Sequence, residues 1–132
     1  MIDNVFKCRL AVRDYECDMQ GVVNNSVYQN YLEHARHEFL KHKRLGFADL
    51  TRRGIIVVVV SAELNYLRSL RSGDAFDVTV EPFKVSTLRL GFKQRILCAS
   101  SQALMLKALI VTTAVNEKGR PYYPQELDCL LE

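Results

Sequence analysis

The chain has little glycine and proline, six and three of its 132 residues, which excludes a collagen-like repeat or a low-complexity linker. It also lacks a long hydrophobic run. The longest, Ile55 to Val60, falls far short of the ~20 residues that a membrane-spanning helix requires. Met1-Ile-Asp-Asn carries neither the basic nor the apolar region of a signal peptide, so a soluble, unexported, cytoplasmic protein is expected. Charge is not of one sign: 18 Lys and Arg are scattered among 15 Asp and Glu, for a net charge of +3, which gives nucleic-acid binding little support. Cys8, Cys17, Cys98 and Cys129 form no CxxC pair and read as buried free thiols of a reducing compartment.

What is present suits a single domain over residues 1–132. Apolar residues are 48% and charged ones 25%, and a chain of this length buries ~two-thirds of its unfolded surface without disulfide or metal staples. Val5 to Val12 reads as a first strand. Residues 13–26 are irregular and end in residues suited to capping a helix. Beyond Ser26, apolar side chains at Tyr28, Tyr31, Leu32, Ala35, Phe39 and Leu40 follow a 3.6-residue period to about Arg44, with Gly46 just past the end. A polar turn over Asp49 to Arg53 follows. The period then changes to that of strands at Ile55–Leu67, Asp74–Glu81, Leu88–Cys98 and Ala103–Val115. Their short connections suit an antiparallel meander, giving an α+β domain of order β-α-β-β-β-β with the helix on one face of a five-stranded sheet. The last strands are long and apolar on both faces, more than one helix covers, so a homo-oligomer is expected.

Chemistry concentrates before the helix, where Asp14, Glu16 and Asp18 precede Gly21 and then Asn24, Asn25 and Ser26. Asp18 has two readings. It satisfies backbone N–H groups or the helix dipole, or it attacks, or activates water against, a carbonyl polarised by free N–H groups of the first helical turn. His34, Glu38 and His42 recur at four-residue spacing, but their order matches no zinc pattern and suits a solvated helix face, so no metal is expected. Cys17 has no histidine partner and reads as a small apolar neighbour of Asp18 rather than a nucleophile. Tyr28 and Tyr31 read as helix packing, with Tyr28 also a candidate wall of an acyl pocket. Glu63 and Asn65 share one face of an apolar strand, so Glu63 either lies near solvent or is a second polar group of the site.

The run Asp18-Met-Gln-Gly21-Val22-Val-Asn-Asn-Ser-Val-Tyr28, with Tyr15 ahead and Tyr31 behind, resembles the signature of hotdog-fold thioesterases of the 4-hydroxybenzoyl-CoA thioesterase type. The wording Arg-Asp-Tyr-Glu-x-Asp-x-x-Gly-Val-Val-Asn-Asn, followed by Arg36-His-Glu-Phe, is similar to their plant and bacterial acyl-thioesterase branch. Downstream, Asn65-Tyr66-Leu-Arg68-Ser-Leu70-Arg71-Ser-Gly73-Asp74 fits the family's strand-to-turn element. The resemblance implies a five-stranded sheet wrapped around the helix, two subunits pairing into one continuous sheet, and active sites at the subunit boundary. It implies hydrolysis of an acyl-CoA or acyl-carrier-protein thioester without metal or cofactor, by a dimer or a tetramer made from dimers. Asp18 stands at the position of the catalytic carboxylate, as nucleophile or general base, and the backbone N–H of Asn25 at that of the thioester-oxygen donor. Gly21, Val22, Tyr28 and Glu63 are then candidate substrate contacts, and Arg68 and Arg71 candidate partners of the coenzyme phosphates or of an acidic carrier. Two departures stand out: Glu16 where many relatives have Asp, and Asn25 where many have His or Tyr. A catalytically weak acyl-binding protein and a non-enzymatic interaction domain are the alternatives.

Overall fold

Strand β1 (Phe6–Ala11) opens the part of the chain that the computed structural model describes, residues 5–132, and is followed by a 3-10 turn at Asp14–Glu16. Helix α1 (Asn25–His42), a short α2 (Phe47–Arg52), β2 (Ile56–Tyr66), β3 (Ala75–Lys84), β4 (Arg89–Cys98), β5 (Leu104–Val115) and β6 (Pro121–Tyr122) come next, and a 3-10 segment at Gln125–Leu131 ends the chain. The strand pairs are antiparallel, in the order β1-β3-β4-β5-β2 with β6 against β5. The α+β architecture with one long helix on the sheet is that of the hotdog fold.

The periodicity of α1 does the work expected of it. Tyr28, Tyr31, Leu32, Ala35 and Phe39 are buried against the inward residues of the sheet, among them Phe76, Val78 and Val80 of β3 and Leu90, Phe92 and Ile96 of β4. Tyr31 meets Phe76 with ring centroids 4.7 Å apart and Phe39 meets Phe92 at 6.4 Å. Alternation puts Asp77 and Thr79 on the other face. There Asp77 is covered by Arg9, whose Nε lies 2.6 Å from its carboxylate and holds its pKa below the usual range.

Several sequence expectations need correction. Only β3-β4-β5 form a meander, because β2 lies on the far edge against β5 rather than beside β3. Residues 67–74 therefore make no hairpin. They cross beneath the start of α1, where the Val23 N–H donates to the Leu70 carbonyl at 2.9 Å and the Leu70 N–H donates to the Tyr28 hydroxyl at 3.0 Å. The sheet has six strands instead of five, since the Glu117–Arg120 turn folds Pro121–Tyr122 back onto β5. The expected polar turn at 49–53 lies mostly within α2, whose Leu50 is buried. The left-handed residue after α1 is Arg44 (φ 60) and not Gly46, which instead precedes α2. The four cysteines are free but only half-buried.

The exposed apolar surface sits elsewhere than expected too. Strands β3 to β5 are largely covered. It is β2, the edge strand, that leaves Ile56, Val58, Val59, Val60 and Tyr66 in solvent. Such an edge has unpaired backbone donors and acceptors and invites another strand.

Among the described residues the Tyr28 hydroxyl is the only hydrogen-bonded partner of the buried Leu70 N–H. Tyr28→Phe is expected to destabilise the protein by about 1–3 kcal/mol in urea unfolding, the cost of orphaning a buried donor. A change below the error of the measurement would show that the crossing segment is not held this way.

Candidate active site

The loop between β1 and α1 is built on Glu16 and closed by Gly21. Glu16 is half-buried, and its carboxylate accepts from the Tyr31 hydroxyl at 2.8 Å and from the Arg13 N–H at 2.9 Å. Its carbonyl accepts the Asn24 N–H at 3.0 Å, the residue that caps α1. One residue thus ties the loop to the helix at two points and braces the loop itself at a third. Burial and the Glu16 bond push the Tyr31 hydroxyl far above its usual range, so Tyr31 remains the donor. Gly21 (φ +78) turns the chain in a region where any other side chain is strained, and a bridge between Val22 and Arg71 lays the loop beside the crossing segment. The Ser72 hydroxyl donates to Asp14 and fastens the same two segments together.

Asp18 is exposed on this loop. Its Oδ1 accepts from the Gln20 N–H at 2.9 Å and from the Val22 N–H at 3.4 Å, which is the turn-forming role. Among the described residues no protein group donates to Oδ2, so half of the carboxylate is available. At the helix start, the Val27 N–H is satisfied by the Asn24 carbonyl, whereas the N–H groups of Asn25 and Ser26 have no protein acceptor among the described residues. Asn24 gives no side-chain cap. A helix start with open donors is a ready site for a carbonyl or an anion.

The remaining candidates divide by face. Tyr28 is 3% exposed, edge-on to Tyr31 and Tyr66, so it builds the core under the helix start rather than a substrate wall. Glu63 pairs with Leu109 and lies across the sheet from Lys93 and Glu81, on the face turned away from α1. Exposed on that face, it takes the solvent-side reading. Arg71 stands beside Val22, and Arg68 is exposed on the same segment, its N–H donating to the Met105 carbonyl at 3.0 Å. Around Cys17, partial burial and then the carboxylates of Asp14, Asp18, Glu16 and Asp74 raise the thiol pKa, which opposes a thiolate nucleophile.

Sequence reading passed over Tyr66 as a site residue. Its ring packs on Tyr28 at 5.5 Å and its hydroxyl donates to the Asn25 carbonyl at 3.4 Å, which places the end of β2 next to the open helix start. The second motif contained that signal. It also passed over a cavity of about 220 Å³ between α1, α2 and the first half of β2, lined by Arg36, His37, Phe47, Val57, Val59 and Phe92 among others.

The match to the family model described as "Thioesterase-like superfamily" extends over residues 12–128. The chain belongs to that superfamily. It is 38% identical over 112 residues to "Acyl-acyl carrier protein thioesterase ATL3, chloroplastic" of Arabidopsis thaliana, with 85% of this chain and 59% of that protein covered. It is 28% identical over 123 residues to "Acyl-CoA thioesterase YbgC" of Haemophilus influenzae, covering 91% and 87%. The crystal structure of Slr0204, a 1,4-dihydroxy-2-naphthoyl-CoA thioesterase from Synechocystis, superposes with a TM-score of 0.90 at 18% identity over 97% of this chain and 96% of that one, a likeness of fold. The chain spans only about three-fifths of the length of the chloroplast relatives it matches.

Membership in this superfamily makes the loop geometry the part to test first. Glu16→Ala removes the acceptor of the buried Tyr31 hydroxyl and is expected to cost about 1–3 kcal/mol of stability, while Glu16→Gln, which keeps an acceptor oxygen, costs less than half as much. Equal losses for the two variants in chemical unfolding would contradict the assigned hydrogen bond.

Proposed function

We propose that this protein hydrolyses an acyl thioester, carried on coenzyme A or on acyl carrier protein, to a free acid and a thiol. The observation that carries the reading is the pair of open N–H groups at Asn25 and Ser26, at the start of the helix to which the loop is tied through Glu16 and Cys17, together with the Asp18 carboxylate oxygen that this loop leaves free. The thioester oxygen accepts from the Asn25 N–H, and the positive end of α1 stabilises the charge that develops there. Asp18 then acts through Oδ2. As general base it takes a proton from water, the hydroxide adds to the carbonyl carbon, and collapse expels the thiolate, which recovers the proton. As nucleophile it forms an acyl anhydride and releases the thiolate, and water then cleaves the anhydride. Gly21 and Val22 shape the approach with their backbone, and neither route invokes a metal or cofactor.

The active unit in this reading is a homodimer, or a tetramer made from such dimers. Strand β2 runs over Ile56–Tyr66 with its middle near Ser61. Two copies pairing antiparallel about that point set Tyr66 of one beside Ile56 of the other. Tyr66 touches the open helix start and Ile56 lines the apolar cavity, so the carbonyl site of one subunit meets the cavity of its copy. An engineered cavity of about 150 Å³ accepts a benzene-sized guest, and this one, at about 220 Å³, takes the acyl group.

Asp18→Asn preserves the turn, since the amide oxygen still accepts from Gln20 and Val22, but it has neither nucleophile nor base. Steady-state hydrolysis over a panel of short, long and aromatic acyl-CoA and acyl-carrier thioesters is expected to show kcat at least ~10²-fold lower with the fold retained. A variant keeping more than a third of normal turnover would remove Asp18 from the chemistry, and binding of the whole panel without turnover by the unaltered protein would favour an acyl-binding role.

Arg68 and Arg71 flank the loop on its solvent side, where they meet the coenzyme phosphates or an acidic carrier surface. Reversing both charges, as Arg68→Glu with Arg71→Glu, is expected to raise KM several-fold with kcat near normal, and the salt dependence of KM should flatten. A KM that moves with neither salt nor charge reversal would place both residues outside the site.

A further inference from the structure

At the end of β2 the Tyr66 hydroxyl donates to the Asn25 carbonyl at 3.4 Å, in the first turn of α1. Tyr66 is 47% exposed, so water alone would satisfy its hydroxyl and no protein acceptor is required. The fold nonetheless fixes where that hydroxyl lies. Its backbone is held in register against Leu106 of β5, and its ring rests edge-on against Tyr28 at 5.5 Å. Tyr28 is itself immobilised, buried and bonded through its hydroxyl to the Leu70 N–H. The phenol therefore reaches the helix start from a rigid support.

The carbonyl it touches needs no extra partner, because as the first residue of α1 Asn25 already offers that oxygen to the helix ladder. What the contact changes lies at the other end of the same amide. The Asn25 carbonyl and the Ser26 N–H belong to one planar trans peptide group, so they point in opposite directions, the carbonyl along the helix and the N–H out of its start. The Ser26 N–H is one of the two donors there with no protein acceptor among the described residues, and the Asn24 side chain does not cap it. A hydroxyl donating to the carbonyl draws electron density onto the oxygen and makes the N–H of that amide a stronger donor, the polarisation that renders chains of hydrogen bonds cooperative. Hydrogen bonds of a catalytic site that are long in the free protein tighten when substrate is bound.

We propose that Tyr66 is a positioning residue for thioester hydrolysis: through the Asn25–Ser26 peptide its hydroxyl makes the Ser26 N–H a second donor to the thioester oxygen, beside the Asn25 N–H. The proposal rests on the thioester-hydrolase reading and deepens it by naming that second donor and the side chain that strengthens it. Tyr66 touches no reacting atom. Its influence grows with the charge on the thioester oxygen, which is small in the bound substrate and large in the tetrahedral intermediate, so it is felt in kcat rather than in KM.

The test compares the full chain with Tyr66→Phe. That variant keeps the ring on Tyr28 and the helix bond of the Asn25 carbonyl, so its urea midpoint is expected to match that of the unaltered protein. On acyl-CoA thioesters that the unaltered protein hydrolyses, kcat is expected to fall about three- to tenfold, a fraction of what deleting an oxyanion donor costs, with KM within about twofold. The second readout is the carbonyl stretch of an isotope-labelled acyl-CoA thioester bound intact to Asp18→Asn, measured by difference infrared spectroscopy. Adding Tyr66→Phe to that variant should move the band to higher frequency, because a weaker donor polarises the carbonyl less. An unchanged kcat, or a band that stays in place, would overturn the proposal while leaving hydrolysis intact. A raised KM at normal kcat would make Tyr66 a simple substrate contact and overturn it as well. If no thioester is hydrolysed, the hydrolase reading falls, and the band of the bound thioester alone then decides whether Tyr66 strengthens the Ser26 donor.

Discussion

The contact on which the rest depends is small: Val23 and Tyr28 hold Leu70 from both sides, one by a backbone N–H and the other by a phenol oxygen. Leu70 is fully buried there, so its polar backbone must be satisfied inside the protein. Because the segment after β2 is pinned under the start of α1, β2 cannot turn back as a hairpin and is carried to the far edge of the sheet. The same pin draws Arg71 beside Val22 and the end of β2 toward Asn25. The loop that bears Asp18, the open helix start and the edge strand are thus brought to one end of the molecule by a single crossing.

Much of this was legible in the sequence, for physical reasons that differ by element. The stripe from Tyr28 to Phe39 is a solvent-partition pattern, and the buried face of α1 follows it residue by residue. Alternation in β3 and β4 is equally plain, because one side meets the helix. The position of β2 was not legible. Its strand character is written in Ile56 to Val60, but pairing is a choice between neighbours that strand propensity does not encode, and the connection's length suited a hairpin. What decided it was Leu70, an apolar residue within Arg68-Ser-Leu-Arg71, which a local reading takes as part of a solvated turn.

The candidate site was legible as far as its loop and no further. Asp18 and Gly21 stand out from residue type and spacing, Asn25 only through the resemblance, and they lie on the loop and at the first residue of α1. Glu63 misleads because alternation gives the shared face of Glu63 and Asn65 but not which face it is, and the register against Leu109 turns it outward. Tyr31 misleads in the opposite sense. It reads as a member of the helix pattern, whereas its hydroxyl holds Glu16. The cavity arises from α2 and β2 standing off from α1, a spacing between elements far apart in sequence.

The account's central claim is that a site is completed across the β2 edge, with the Asp18 loop of one subunit serving the cavity of its copy. Subunit mixing tests it most directly. Asp18→Asn leaves a cavity without its carboxylate, and Leu40→Trp, in the cavity wall, leaves a carboxylate without its cavity. Each variant alone should be inactive. After unfolding and refolding together in equal amounts, half of the dimers are mixed and each holds one intact site, so about a quarter of normal activity should return. Mixtures as inactive as the separate variants, with mixed dimers shown to form, would place the carboxylate and the cavity of each site in the same subunit and contradict the account.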